Sequence, residues 1–193
     1  MDQWPGVSPY GTKTPSIHPD AYVDPSARII GDVHLAKDCS ISPMAVLRAD
    51  SETARVGRRA AVLDLALLEA PTDHPVVIDD EALVSHGAII HGAHVHCRAL
   101  VGIGAIVLEG AVVSTGAIIG AGSVITPGSV IPPDSLVLGT PGRVVRKTTE
   151  RERSQILGQI EDLYKKSQRL KAQEHPVNRA PLKRNGRPHG RET

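Results

Sequence analysis

Residues 95–137 read VHCRALVGIGAIVLEGAVVSTGAIIGAGSVITPGSVIPPDSLV, and an aliphatic side chain returns at every sixth position: Val95, Val101, Val107, Val113, Ile119, Ile125, Ile131 and Val137. Four residues after each of the first seven stands a small one: Ala99, Ala105, Ala111, Ala117, Ser123, Ser129 and Ser135. A period of six fits neither a helix face nor a long alternating strand. It fits short strands separated by tight corners, each strand giving one aliphatic side chain to a shared interior. Three such sides close a triangular coil of about eighteen residues, and coils stack at ~4.8 Å, the spacing of hydrogen-bonded strands. The small residue belongs near the corner, where a larger one would meet the next side. The pattern predicts an all-β solenoid, a parallel β-helix whose handedness the repeat alone does not fix.

Working outward, the same period runs upstream through Ile17, Val23, Ile29, Leu35, Ile41 and Leu47, with Ala21, Ala27, Val33, Cys39 and Ala45 as small partners. It breaks at Asp50 to Arg55, resumes at Val56, Val62 and Leu68, and breaks again at Ala70 to Pro75. Ile78, Val84 and Ile90 follow, then one five-residue step leads to Val95. Downstream, Thr149 and Glu152 form a capping-box pattern ahead of the helical stripe Ile156, Leu157, Ile160, Leu163, Tyr164 and Leu170. Glu161/Lys165 and Asp162/Lys166 are its exposed pairs. A helix of about six turns is expected, packed along the solenoid. From Ala172 the chain is Pro-, Arg- and Lys-rich without periodicity and reads as a disordered tail. The expected organisation is an N-terminal extension (1–16), the hexapeptide-repeat β-helix (17–147), a C-terminal helix (148–171) and the tail (172–193).

Composition narrows the class. The chain has 193 residues, 40% hydrophobic, with no Phe, one Trp (Trp4) and three Tyr. A layered core of this size ordinarily fills volume with aromatics, so their scarcity points to a narrow interior. A formal net charge of +1 gives no electrostatic reason to expect nucleic acid or an anionic membrane as partner, and basic contact by Arg179, Lys183, Arg184 and Arg187 ranks below a solvated tail. Two cysteines are too few for a disulfide framework, no apolar run reaches membrane-spanning length, and Met1 to Ser16 has neither a basic start nor an apolar stretch. A soluble, reducing, cytoplasmic protein is expected.

The register also places outward side chains over one another. Leu47, Leu68 and Ile90 are one coil apart, so Arg48, Glu69 and His91 stack in one column. Val62 and Val84 are likewise one coil apart, which puts His86 over Asp64 on the preceding side. His86 and His91 have a corner between them and should diverge within one chain. Three ligands, Glu69, His91 and His86, converge only if the chain meets copies of itself around an axis.

Leu47-Arg48-Ala49-Asp50, Asp64, and Ser85-His86-Gly87-Ala88-Ile89-Ile90-His91-Gly92 resemble the γ-class carbonic anhydrases, and Val101-Gly102-Ile103-Gly104-Ala105 and Leu138-Gly139-Thr140-Pro141-Gly142 extend the likeness. It covers about Pro15 to Glu150. The resemblance implies a left-handed β-helix. It also implies a homotrimer with zinc, or iron or another divalent transition metal, held by three histidines at each subunit interface, where activated water attacks carbon dioxide. His86 and His91 match two of those ligands. Arg48, Asp50 and Asp64 match the interfacial charged residues that orient the site and join subunits.

The departures point away from carbon dioxide. The family's first histidine ligand falls on Glu69, and its Asn and Gln near the metal-bound water fall on Ala61 and Leu63. A His2Glu set still holds catalytic zinc. Its added negative charge weakens the metal as a Lewis acid, and Ala61 and Leu63 imply a drier, roomier wall suited to an organic small-molecule substrate. Glu69, Arg48 and Asp64 are the expected catalytic residues. Glu69 has a competing role as the ion-pair partner of Arg48, and His74 in the extruded loop is a substitute for the missing histidine. His94 and His96 read as surface residues rather than ligands, Cys39 as core, and Cys97 as a thiol with nothing nearby to activate it. Three functions remain: a metal-dependent lyase or hydrolase, a hexapeptide acyltransferase using coenzyme A, and a metal-free trimeric scaffold.

Overall fold

A chain that turns after every short strand must supply, at each corner, a residue that accepts left-handed backbone. In the computed structural model, which describes residues 6–174, glycine takes this position along the upper corners, at Gly104, Gly110, Gly116, Gly122 and Gly128. Lower down it falls to Asp38, Met44, Arg59, Leu65, Glu81 and Arg98, with φ between 55° and 63°. Short strands between these corners build three faces of a left-handed parallel β-helix.

The first face stacks Val7–Ser8, the start of Arg28–Leu35, the start of Val46–Val56, Leu67–Glu69, Ile89–His91, Ile106–Val107 and Val124–Ile125. The second stacks Ser16–Ile17, the ends of Arg28–Leu35 and Val46–Val56, then Val76–Ile78, His94–Val95, Val112–Val113 and Val130–Ile131. The third runs from Tyr22–Val23 through Ser40–Ile41, Ala61–Val62, Leu83–Val84, Leu100–Val101 and Ile118–Ile119 to Ser135–Leu138. Arg143–Lys147 then folds back antiparallel on Ser135–Leu138 and covers the exposed edge of the last coil. Val7–Ser8, in the stretch expected as an extension, adds a strand beside Ile29–Ile30.

Inside, the six-residue aliphatic positions form one continuous column, with Ile29, Leu47, Leu68, Ile90, Val101 and Ile119 fully buried. The small partners fill the corners, and Ala21, Ala27, Cys39, Ala45, Ala99, Ala105 and Ala117 are fully buried too. Burial pushes the Cys39 thiol up to about 12. A column this narrow has no place for a large ring, which accounts for the missing phenylalanines.

Both breaks in the period lie on the corner between the first and second faces. Gly31 pairs with Ala49 and Val33 with Ala54, so Asp50, Ser51, Glu52 and Thr53 bulge where the coil below has only Asp32. Gly31 has φ 81°, and a Cβ there would lie 2.2 Å from the Ala49 carbonyl oxygen, so the crossing requires glycine. Ala70 to Pro75 extrudes one coil further. The five-residue step above it leaves Gly92 beneath His74, where a Cβ on residue 92 would stand 2.5 Å from the His74 Cβ.

The C-terminal helix spans Glu150–Glu174, continuing past the expected end at residue 171. Its capping box forms: Glu152 N–H donates to Thr149 Oγ1 (3.2 Å) and Thr149 N–H donates to Glu152 Oε2 (2.8 Å). Its apolar stripe lies on the third face, where Ile156 and Ile160 pack with Ala61, Leu63 and Leu83. Arg59 pairs closely with Glu161 and lies 4.8 Å over the Tyr164 ring. Lys165 lies 3.4 Å from Glu161, as the spacing predicts. Among the described residues no helix is long and apolar enough to cross a membrane. Trp4, and the tail expectation over residues 175–193 with its basic side chains, lie outside the described residues.

Candidate functional site

The ladder sets the polar columns. Arg48 is paired with Glu69 and Glu69 with His91 across successive coils of the first face, so the three side chains leave the solenoid in one row. Arg48 Nη2 donates to Glu69 Oε1 in a close ion pair, and its Nε lies 3.7 Å from Asp50 Oδ2. Glu69 raises the Arg48 pKa further above its already high value. The other Glu69 oxygen, Oε2, faces His91 Nε2 at 3.9 Å. The two Glu69 oxygens differ in their surroundings: one takes the arginine and the other faces the histidine.

His91 is held from its far side. Its Nδ1 lies 2.9 Å from Oε1 of Glu109, which stands one coil further on. The Glu109 carboxyl is held below the usual carboxylate range by its own backbone N–H, then by His91 and His74. Sequence reasoning missed Glu109. Leu108, not Glu109, is in register with His91, and the contact depends on the glutamate reaching back across one residue.

His86 sits at the corner between the third and first faces, with its Nδ1 3.1 Å from Asp64 Oδ2 and its side chain about half exposed. One nitrogen is thus tied to a carboxylate and the other is free to face outward. Met44, Leu65 and Ile103 share this corner region, 60%, 60% and 59% exposed, unusually bare for large apolar side chains. Within one chain His86 does not join Glu69 and His91. Among the described residues, the one group whose ligand atoms converge is Asp79, His94 and His96, on the second face. His94 and His96, expected as surface residues, are half-buried there.

Beside His86 a cavity of about 630 Å³ opens between the third face and the C-terminal helix. Leu63, Leu83, Leu100 and Ile118 form its solenoid wall, and Gln159, Asp162, Leu163 and Lys166 come from the helix. The roomier wall expected at Ala61 and Leu63 is corrected in part. Both are nearly sealed, 3% and 6% exposed, because the helix sits on them, and only Leu63 reaches the cavity.

No family model matches the chain. It is 42% identical over 144 residues to a carbonic anhydrase of Geobacillus kaustophilus, an alignment covering 75% of this chain and 79% of that one. It is 35% identical over 138 residues to the carnitine operon protein CaiE of Escherichia coli, covering 72% and 70%. Among solved structures, a provisionally named acetyltransferase of Bacillus cereus matches with a TM-score of 0.86 and 33% identity, over 87% of this chain and 98% of that one. An N-acyltransferase, AntD of Bacillus cereus, crystallised with dTDP and coenzyme A, shares the fold at a TM-score of 0.56 and 15% identity, over 78% and 87% of the two chains.

Proposed function

Because this chain belongs to the γ-carbonic-anhydrase-like family of hexapeptide-repeat proteins, we propose that it is a homotrimeric metal-dependent enzyme of lyase or hydrolase type, acting on an organic substrate. The carrying observation is the orientation of three donors. Glu69 presents Oε2 while Oε1 is held by Arg48, and His91 presents Nε2 while Nδ1 is held by Glu109. His86 presents Nε2 while Nδ1 is held by Asp64. Anchoring the far atom of each ligand to a charged partner is the arrangement that fixes tautomer and direction at metal sites. The donors fit zinc, with iron or another divalent transition ion as the alternative.

The ligand atoms of His86 do not converge with those of its own Glu69 and His91, so the set closes only with His86 of a neighbouring copy. The bare corner of Met44, Leu65 and Ile103 supports that contact, since apolar side chains clustered beside a polar site mark interaction surfaces. When bound, the metal supplies Lewis acidity that activates water. Arg48 and Asp64 orient donors, and Asp50 holds Arg48 from its other side. A cavity of about 630 Å³ with mostly aliphatic walls exceeds what carbon dioxide needs and suits a small organic molecule. Asp162 and Lys166 are placed to meet its polar end.

A second reading has its own observation. The Asp64–His86 pair beside the cavity is the orientation of a general base, and it serves an acyltransferase using coenzyme A without metal. Metal analysis of protein purified without chelators separates the two. About one interfacial metal per chain is expected, lost in His91→Ala, with slow carbon dioxide hydration that Glu69→His accelerates. Metal-free protein that resists reconstitution and binds acyl-coenzyme A would replace the first reading by the second.

A further inference from the structure

The second face carries a group of residues that the proposed interfacial site does not use. His94 and His96 flank the buried Val95, and alternate residues of a strand leave the same side of the sheet. Val95 is in register with Ile78 of the coil below, which puts Asp79 directly beneath His96 and diagonal to His94. Asp79 Oδ2 lies 2.9 Å from His96 Nδ1 and 3.1 Å from His94 Nε2. The two imidazole centroids are 3.9 Å apart, tilted by 34°. His94 stands between Val77 and Val112 of the neighbouring coils, so nothing in its own column offers it a polar partner.

His94 Nε2 is sealed from solvent and makes no hydrogen bond, because its approach to Asp79 has the distance but not the direction of one. A buried nitrogen without a hydrogen-bond partner, 3.1 Å from a carboxylate oxygen that a second imidazole already meets, asks for an explanation that hydrogen bonding does not give. A cation supplies it. In tetrahedral zinc with bonds of about 2.0–2.1 Å, neighbouring donor atoms lie about 3.3 Å apart. The two nitrogen-to-oxygen separations at Asp79 are close to that edge, and one ligand atom from each residue falls within 4.8 Å of the other two. Two imidazoles and one carboxylate are the donors that a borderline divalent transition ion prefers. The ladder fixes all three backbones, so only the rings have to adjust.

We propose that Asp79, His94 and His96 form a second metal site, one per chain, for a zinc-class divalent ion, with His94 Nε2, His96 Nδ1 and the Asp79 carboxylate as ligands. It joins two adjacent coils and leaves at least one coordination position for solvent. It is independent of the interfacial set, since all its ligands come from one chain and from a different face.

The experiment is a Zn2+ titration by calorimetry, repeated with Co2+ and read by its visible absorption. It uses full-length, metal-stripped His86→Ala protein, in which the interfacial set lacks a ligand. One Zn2+ per chain is expected to bind, with at least about tenfold weaker binding on adding His96→Ala or Asp79→Asn. No binding in the His86→Ala protein, or binding unchanged by both further substitutions, overturns the proposal. Should those variants fail to fold, the imidazole nitrogen resonances of His94 and His96 in the His86→Ala protein decide: they shift with one equivalent of Zn2+ if they are ligands, and unmoved signals overturn it. If the wild type and His86→Ala bind the same single equivalent and only His96→Ala removes it, this site stands and the interfacial one falls.

Discussion

Replacing Ile160 by alanine should release the C-terminal helix while leaving the solenoid folded. Ile160 is 2% exposed and packs with Ile156 on Ala61, Leu63 and Leu83, a cluster separate from the aliphatic column inside the coils. Removing three carbons forfeits about 2.5 kcal/mol of transfer free energy at ~0.8 kcal/mol each. The seat is a hydrogen-bonded ladder that cannot collapse into the space, so a cavity penalty brings the cost to about 4 kcal/mol at most. An undocked helix has little stability of its own in water, so the loss falls on docking. Native-state hydrogen exchange measures it: amides within Glu150–Glu174 should exchange about 60- to 700-fold faster, at tenfold per 1.4 kcal/mol. Those of Ile90 and Val101 should not change. Equal acceleration in both regions would show that helix and solenoid open as one unit, and no acceleration would show that Ile160 does not hold the helix. Either result refutes the reasoning. The cavity wall formed by Gln159, Asp162, Leu163 and Lys166 would leave with the helix.

Two further outcomes follow from the titrating groups. Alkylation of the native protein should label Cys97 and spare Cys39, whose thiol is fully buried and pushed up to about 12, with both labelled in denaturant; equal native rates would refute this. Glu109 is held below its unfolded value of about 4.3, so whatever stability it contributes is present above that pH and lost as pH falls through the lowered value. Urea midpoints of the wild type and Glu109→Gln should therefore differ at neutral pH and converge in acid, and a gap that widens in acid would contradict the assignment.

Much of this architecture is legible in the chain because a six-residue period leaves little freedom. One aliphatic side chain per side fixes which residues face inward, and counting coils then fixes the register, so Arg48 over Glu69 over His91, and Asp64 under His86, follow from arithmetic. The same count places Asp79 under His96, but a lone aspartate and two histidines on a strand look like solvated residues until one nitrogen of each ring is found within 3.1 Å of one oxygen. Glu109 escaped because its reach, not its register, brings it to His91. The seat of the helix was illegible for another reason. The repeat makes the three faces alike, and only packing reveals that Ala61 and Leu63 lie beneath Ile156 and Ile160.

The central claim, that Glu69 and His91 of one chain share a metal with His86 of the next, is tested most directly by mixing two defective chains. His86→Ala and His91→Ala proteins would each be unable to complete an interfacial site alone. A trimer containing both kinds has one interface of three where an intact His91 meets an intact His86, so mixed trimers should hold about a third of the wild-type interfacial metal. Co-expressed chains carrying distinct tags, purified through both, should show that regain by metal analysis. The prediction is metal in mixed trimers above the level of either parent. Mixed protein holding no more than its parents, or a stable monomer in place of a trimer, would contradict the account.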